Sequence, residues 1–423
     1  MSRDRFKSVR ELLSLTLALA VLGVACSDID PGPVTPPPSA GGGGVGGSAG
    51  SAGASGSAGQ VNGGGGAGNV GGGAAAGMSG GGAGGGGGAD NPMPTMLSQT
   101  GLYSDVPSKA LATGVYPFSP TYALWSDGAD KKRWVYMPPG GKIQTDTTAR
   151  GMEFWQYPKG FKLWKEFSRD GKVIETRLLQ KLGDGLKDWY MVAFKWNDTH
   201  TEATALPDGE LNAMGTQHDI PTKKACEDCH STMYDHALGF SALQLSHDDA
   251  AGAMTLAKAV ELGWFNTPPP AAGYKLPGTE VEQQALGYLH ANCGMCHNSF
   301  SNVYTTKTSM NLWTQLDHLA SPQTTLAYLS LVCDQWPGVN DKQTPKPDAC
   351  AAGHAKGAPM DILDISKAKR IAPKDVANSA VHDLMSLRVA STDPIQMPPL
   401  GTEIKDDAGL AALEAWINAL PTE

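Results

Sequence analysis

The sequence has no excess of basic side chains. Its 33 Lys and Arg residues are outnumbered by 42 Asp and Glu residues, so the 423-residue chain has a formal net charge of −9. Proteins that bind nucleic acid neutralise phosphates with clustered Lys and Arg. The charge balance therefore argues against nucleic acid as the main partner.

The N-terminus has too few consecutive apolar residues for a comfortable membrane span. Residues 12–24 are mostly apolar, follow a basic head and end before Ala25 and Cys26, which predicts a signal peptide over residues 1–25. LGVAC resembles a bacterial lipobox, which implies cleavage before Cys26 and lipidation of that residue. Ordinary cleavage with an incidental Cys26 is the alternative. We expect a protein of the periplasm or cell surface, lipid-anchored to a bacterial membrane.

Residues 26–92 offer almost nothing that could form a core. PGPVTPPPS is followed by tracts such as GGGGVGGSAGSAGASG, so this segment is predicted to be a disordered, flexible tether. No Lys follows the glycines and no strand pattern precedes them, which argues against a phosphate-binding loop.

Residues 93–210 alternate short aromatic runs with turn signals. ALWSD, KRWVYM, FKLWKEF and DWYMVAFKW are separated by segments such as PPGG, RDGK and GDG, which favours a mainly antiparallel β domain. Six tryptophans lie between Trp125 and Trp196 and could line a ligand groove. The core of a small sheet is the preferred interpretation.

After residue 210 the apolar spacing becomes helical. A helical segment is predicted over residues 211–275 and a second domain over residues 276–423. VEQQALGYLHANCGMCH forms an amphipathic pattern, and DDAGLAALEAWINAL places its leucines on one helical face behind Asp406 or Asp407 as N-cap.

The pentapeptides CEDCH and CGMCH carry the chemistry. Their cysteines are 293 − 226 = 67 positions apart, too far for a usual zinc ribbon, and neither pair lies at the strand-to-helix junction of a thioredoxin-like site. Covalent attachment of haem c explains the His after each second Cys, because the thiols bond the vinyl groups and the imidazole reaches the iron. The predicted cofactors are two haem c groups with iron. The attachment residues are Cys226, Cys229 and His230 in the first motif, and Cys293, Cys296 and His297 in the second.

Met397 in QMPPLGT is the candidate distal ligand of the second iron, since two prolines hold its backbone extended. The order of helix, CxxCH, loop, Met-Pro and terminal helix over residues 280–420 resembles the class I cytochrome c family. That resemblance implies that His297 is the proximal ligand, Met397 is the distal ligand, and the first and last helices cross. The ligand separation of 397 − 297 = 100 positions implies an insertion.

With the haem thiols and Cys26 assigned, Cys333 and Cys350 in that insertion are the only pair left, and a disulfide is the default. From LSQTGLY onward, with CEDCH, LGFSALQLS and MPPLGT, the chain also resembles an uncharacterised group of bacterial exported dihaem cytochromes. We therefore expect a multidomain fold, with an N-terminal mainly antiparallel β domain followed by a mainly α, cytochrome c-like region carrying two covalent haems.

The distal ligand of the first iron stays open. The candidates are His218, Met233, His236, His247, Met254 and an unfilled position. The preferred function is electron transfer between redox protein partners, with membrane contact through the lipid anchor. A peroxidase-like dihaem enzyme is the alternative, although its motifs would be farther apart and no acid–base cluster flanks CEDCH. A third interpretation has the β domain binding a polymer or partner that the cytochrome serves.

Overall fold

The computed structural model describes residues 93–145, 151–249, 252–303, 310–332, 369–388, 396–399 and 401–422. They belong to one compact unit, Gly85–Glu423. The predicted signal peptide, the tether with Cys26, and the predicted disulfide between Cys333 and Cys350 lie outside the described residues.

An antiparallel meander of six strands forms the centre of the described fold, and a separate two-stranded sheet precedes it. The two-stranded sheet contains β1 (Tyr103–Asp105) and β2 (Ala110–Leu111). The meander contains, in spatial order, β3 (Val115–Pro117), β4 (Asp130–Tyr136), β5 (Lys162–Arg169), β6 (Lys172–Lys181), β7 (Trp189–Trp196) and β8 (Ala203–Ala205).

The hairpin between β5 and β6 shows how local sequence sets the register. Arg169 pairs with Lys172, which leaves Asp170 and Gly171 as a two-residue loop. Both have positive φ, +52° and +75°. Asp-Gly is the favoured sequence for such a loop because its second residue has no Cβ to oppose the left-handed backbone.

Side-chain alternation gives the meander two different faces. Trp134, Trp164 and Leu178 belong to a core with Tyr103 of β1. Their neighbours Val135, Leu163 and Leu179 belong to a second core that includes Cys226. Four of the six tryptophans, namely Trp134, Trp155, Trp164 and Trp196, are buried, as expected for core residues.

Seven α-helices lie in the described residues. They are α1 (Lys223–His230), α2 (Ala242–Leu245), α3 (Leu256–Glu261), α4 (Glu280–Asn292), α5 (Leu326–Leu331), α6 (Ala380–Ser386) and α7 (Asp407–Ala419). Short 3₁₀ helices span Leu97–Gln99, Gly151–Glu153, Ala213–Gly215, Leu316–His318, Pro322–Thr324 and Val376–Asn378. None of these helices is long and apolar enough to cross a membrane.

The two longest helices, α4 and α7, begin at side-chain caps and pack closely. Thr279 and Glu282 form a capping box at α4, and the Asp406 carboxylate accepts the Gly409 N–H at 3.0 Å at α7. At Gly409 the Tyr288 ring leaves no room for a Cβ. Glycine at this position therefore permits the close approach of the two helices.

The segment before β4 is tied to this helical part. Trp125 donates its backbone N–H to Asn292 at 2.7 Å and its indole N–H to the Ile404 carbonyl at 3.0 Å. One oxygen of Asp127 accepts the backbone N–H groups of Glu403 and Ile404. The helices therefore share one compact body with the sheet.

The predicted fold class is wrong. The chain has a β-sheet structure with some short helices added, and it is not a β domain followed by a cytochrome c α fold. Helical periodicity is sustained in α4 and α7, which are 13 residues each, whereas α5 and α6 have 6 and 7. Two helices and a CxxCH motif were therefore insufficient evidence for a helical domain.

Candidate functional site

The first motif occupies the end of α1. The Thr222 side chain caps this helix by accepting the Ala225 N–H at 3.1 Å, and ion pairs from Lys223 to Glu227 and from Lys224 to Asp228 follow its surface. Cys226 is buried against the sheet. His230 is the last residue of the helix.

The His230 ring is oriented as a metal-binding imidazole would be. Its Nδ1 lies 2.6 Å from the main-chain oxygen of His236, and a carbonyl can only accept, so Nδ1 carries the proton. Burial lowers the pKa of His230 to about 3, which keeps the ring neutral. The lone pair of Nε2 is then available, the arrangement usual for a His ligand held by a carbonyl.

The second motif follows α4 directly. Cys293 is the C-cap of the helix, and the N–H groups of Cys296 and His297 donate to its carbonyl at 3.1 and 2.9 Å. The Leu312 N–H donates to the His297 carbonyl at 2.8 Å. Burial, with a smaller effect of Arg370, lowers the pKa of His297 to about 4, so this imidazole is neutral too.

The two motifs, far apart in sequence, lie against each other. The Asn298 amide nitrogen is 3.1 Å from the carbonyl of Thr232, just after CEDCH, and 2.9 and 2.8 Å from the carbonyls of Gly294 and Met295. Cys229 is close enough to Cys296 to raise its pKa further. The fold thus brings together the two sites predicted from the sequence.

The four motif cysteines do not have the properties of a reactive thiol pair. Burial raises the pKa of each, to about 12 for Cys293 and about 11 for Cys296. Redox-active cysteines have a lowered pKa instead. In the described residues no three His, Cys, Asp or Glu side chains converge as a metal cluster.

Met397 lies half-buried at the edge of the helical core, against which Cys293 also packs. The Met397 N–H donates to the Leu384 carbonyl at 2.9 Å. The Met397 carbonyl lies 3.5 Å from Arg388 Nη1. Met397 and the first cysteine of the second motif thus border the same core.

The distal candidates for the first iron have different surroundings. His218 Nε2 is 2.7 Å from the buried carboxylate of Glu175, and Met254 is part of the core below the sheet. His247 is half-buried, with Nε2 2.8 Å from the Ser119 carbonyl. Met233 is buried with Phe154 and Trp313, and His236 is half-buried. These surroundings do not identify one of the candidates as the ligand.

A row of cations that was not predicted from the sequence lies beside the first motif. Arg133 of β4 pairs with Lys165 of β5, which pairs with Arg177 of β6. Burial is the main cause that lowers the pKa of His230, and the charge of Lys165 adds to it. Arg177 offsets part of the rise that burial causes in the pKa values of Cys226 and Cys229. The alternation in KRWVYM places Arg133 on the face of Val135, but only the strand register reveals the row.

No protein-family model, curated protein or solved structure matches this chain significantly.

Proposed function

We propose that this chain is an exported c-type cytochrome that holds two covalent haems and passes single electrons between redox protein partners. The first haem would bond Cys226 and Cys229, and the second would bond Cys293 and Cys296. His230 and His297 would be the proximal ligands, and Met397 would be the distal ligand of the second iron. A lipid at Cys26 would keep the protein at a membrane.

The contact between the two CxxCH segments carries this proposal. Each motif taken alone fits several uses of cysteine, but Asn298 joins the two, and His230 already presents a neutral ring with Nε2 unprotonated. A carrier needs neighbouring redox centres so that an electron can pass from one to the other. Two CxxCH segments in contact with each other would meet that need.

The chain's own contribution is attachment, orientation and exclusion of water. The thiols supply covalent bonds, the His236 carbonyl orients His230, and α4 holds Cys293 at its C-terminal end. Burial of both imidazoles keeps them neutral, as ligation requires. When bound, the haem iron would supply reversible one-electron oxidation and reduction, with a thioether ligand raising its potential.

The test is the number of haems per chain. The protein is exported in a host with the c-type maturation machinery, purified, and assayed as the pyridine haemochrome against protein concentration. We expect two haems that survive denaturation, because thioether bonds are covalent, and one haem in Cys226→Ala/Cys229→Ala or Cys293→Ala/Cys296→Ala. Cys333→Ala/Cys350→Ala is the matched control, with the same change outside both motifs, and should keep two. A wild-type protein without covalent haem would overturn the proposal.

A further inference from the structure

Three cations lie side by side on the face of the sheet that carries the first motif. Arg133, Lys165 and Arg177 are directly opposite one another on adjacent strands, an arrangement that destabilises a sheet when the charges are alike. Arg177 is neutralised by Glu175, with Arg177 Nη2 2.5 Å from the carboxylate. Within the described residues, Arg133 and Lys165 form no ion pair with an acidic side chain.

Burial makes this excess of positive charge costly. Arg133 is 8% exposed, and burial lowers its pKa to about 10. Burial, together with Arg133 and Arg177, lowers the pKa of Lys165 well below its usual value. Sequences keep such unfavourable arrangements where function requires them, and a bound anion would remove the repulsion.

Both side chains line a small, partly open cleft between the sheet and α4. Its lining contains no acidic side chain, and His290, Met295 and Trp313 form part of the opposite wall. Met295 is the middle residue of CGMCH, so the cleft adjoins both motifs.

His290 adds a donor whose direction can be deduced. The Thr314 N–H donates to His290 Nδ1 at 3.2 Å, so the proton of this neutral ring is on Nε2. His290 is 2% exposed, and Nε2 has no hydrogen-bond partner in the described structure. The Trp313 indole N–H, in the ring packed on His290, also lacks one. A protonated Nε2 cannot ligate iron, so His290 serves as a donor.

We propose that Arg133 and Lys165, assisted by His290 Nε2–H, bind a carboxylate group in this cleft. An oxygen anion accepts every hydrogen bond that these groups can donate and neutralises the two unpaired cations. The carboxylate comes from a propionate side chain of an attached haem or from a free small dicarboxylate. The first source rests on the function proposed above, whereas the second does not require haem.

The first arm of the test observes propionates directly. Holoprotein is prepared with propionate carboxyls labelled with ¹³C through labelled δ-aminolevulinate, and redox-induced infrared difference spectra are recorded. A propionate source predicts that Lys165→Gln and Arg133→Gln shift the label-sensitive carboxylate bands, whereas Arg133→Lys retains most of the wild-type pattern. Lys132→Gln is the matched control, because Lys132 is the exposed neighbour of Arg133 on the opposite face of β4.

The second arm titrates the same proteins with succinate in a calorimeter. A free-ligand source predicts saturable binding to the wild type. Binding should be at least about 10-fold weaker in Arg133→Gln, which loses a charged hydrogen bond to the carboxylate, and unchanged in Lys132→Gln. The proposal would be overturned if the label-sensitive carboxylate bands were unchanged in Arg133→Gln and Lys165→Gln and the wild type did not bind succinate. Haem counting on the same samples shows separately whether the proposed function fails.

Discussion

His230 Nδ1 lies 2.6 Å from the main-chain oxygen of His236, a residue with a φ of +62°. This left-handed turn directs the His236 carbonyl at the back of the His230 ring. A residue behind a proximal imidazole cannot also ligate iron from the opposite side. If His230 is the proximal ligand as proposed, His236 contributes its main-chain carbonyl to the first site and not its ring.

His236→Asn should therefore leave the haem spectra unchanged, because Asn tolerates positive φ and keeps the carbonyl. His230→Asn removes the proposed ligand and should change the Soret band and the low-temperature paramagnetic resonance of one haem. Both variants should retain covalent haem. A changed axial signature in His236→Asn, with His230→Asn unaltered, would reverse the two roles.

His218, one of the candidate distal ligands, already belongs to a buried ion-pair network with Glu175. Glu175 is fully buried and contacts both Arg177 and His218. Burial alone would raise the pKa of Glu175, but the charges and hydrogen bonds of Arg177 and His218 outweigh it and hold the pKa below its usual value of 4.5. The carboxylate therefore stabilises the fold only while it is ionised.

Glu175→Gln should lower the free energy of unfolding by roughly 3 kcal/mol at pH 7, the order expected when a buried pair loses one partner. The pKa of Glu175 is lower in the folded state than in the unfolded state. The extra stability of the wild type over Glu175→Gln is therefore complete above the unfolded-state pKa and is lost as the pH falls through the folded-state pKa. Urea unfolding followed by circular dichroism at pH 7 and in acid measures the stability difference and its decrease at low pH. Glu210→Gln, in a half-exposed pair with Lys195, should cost about 1 kcal/mol or less. A deficit in Glu175→Gln that grows in acid would contradict this account.

Asn298 holds the two motifs together through a donor that no carboxylate can replace. Its amide nitrogen faces the carbonyls of Thr232, Gly294 and Met295. Asn298→Asp places a negative oxygen among these acceptors and should lower the free energy of unfolding by roughly 1–3 kcal/mol.

Asn197→Asp is the control for that change. The Asn197 side-chain oxygen is exposed and accepts the Thr201 N–H at 3.0 Å, a role that Asp keeps, so its effect should stay within about 0.5 kcal/mol. The urea midpoints of the two variants give the comparison. Equal midpoints would mean that Asn298 does not join the two segments.

Local signals in the sequence predicted much of the structure. Asp170-Gly171 marks the hairpin of β5 and β6, and Asp406 is the N-cap of α7 as expected from its position. Long-range consequences of strand register could not be predicted in this way. Arg133 and Lys165 are 32 positions apart as counted from their numbers, and they meet only because β4 pairs with β5 in one particular register.

The same limit explains the wrong fold class. Helical spacing near CGMCH and near the C-terminus correctly indicated α4 and α7, but a pattern within one helix says nothing about what packs on its other side. Asn292 receives the Trp125 N–H from the segment that precedes β4, a contact across 167 positions. The helical part is therefore built onto the sheet.

Met397 is the remaining ligand prediction. Its side chain is half-buried on the same core as Cys293, and Met385 is buried in that core and serves as a matched control. Leucine is close in volume to methionine, so either Met→Leu change should cost less than about 1.5 kcal/mol in stability. Differences between the variants should therefore reflect coordination.

Met397→Leu should abolish the weak charge-transfer band at the red edge of the ferric spectrum and lower the potential of one haem, because a thioether ligand favours reduced iron. Met397→Leu should also allow carbon monoxide to bind that haem. In an electron carrier both irons have a distal ligand, so wild type and Met385→Leu should bind no carbon monoxide. Potentiometric titration and ferrous spectra with and without carbon monoxide measure these effects. Loss of the band in Met385→Leu alone would show that the ligand is Met385. Carbon monoxide binding by the wild type would favour the enzyme with an open first haem, since an iron without a distal ligand can bind a substrate.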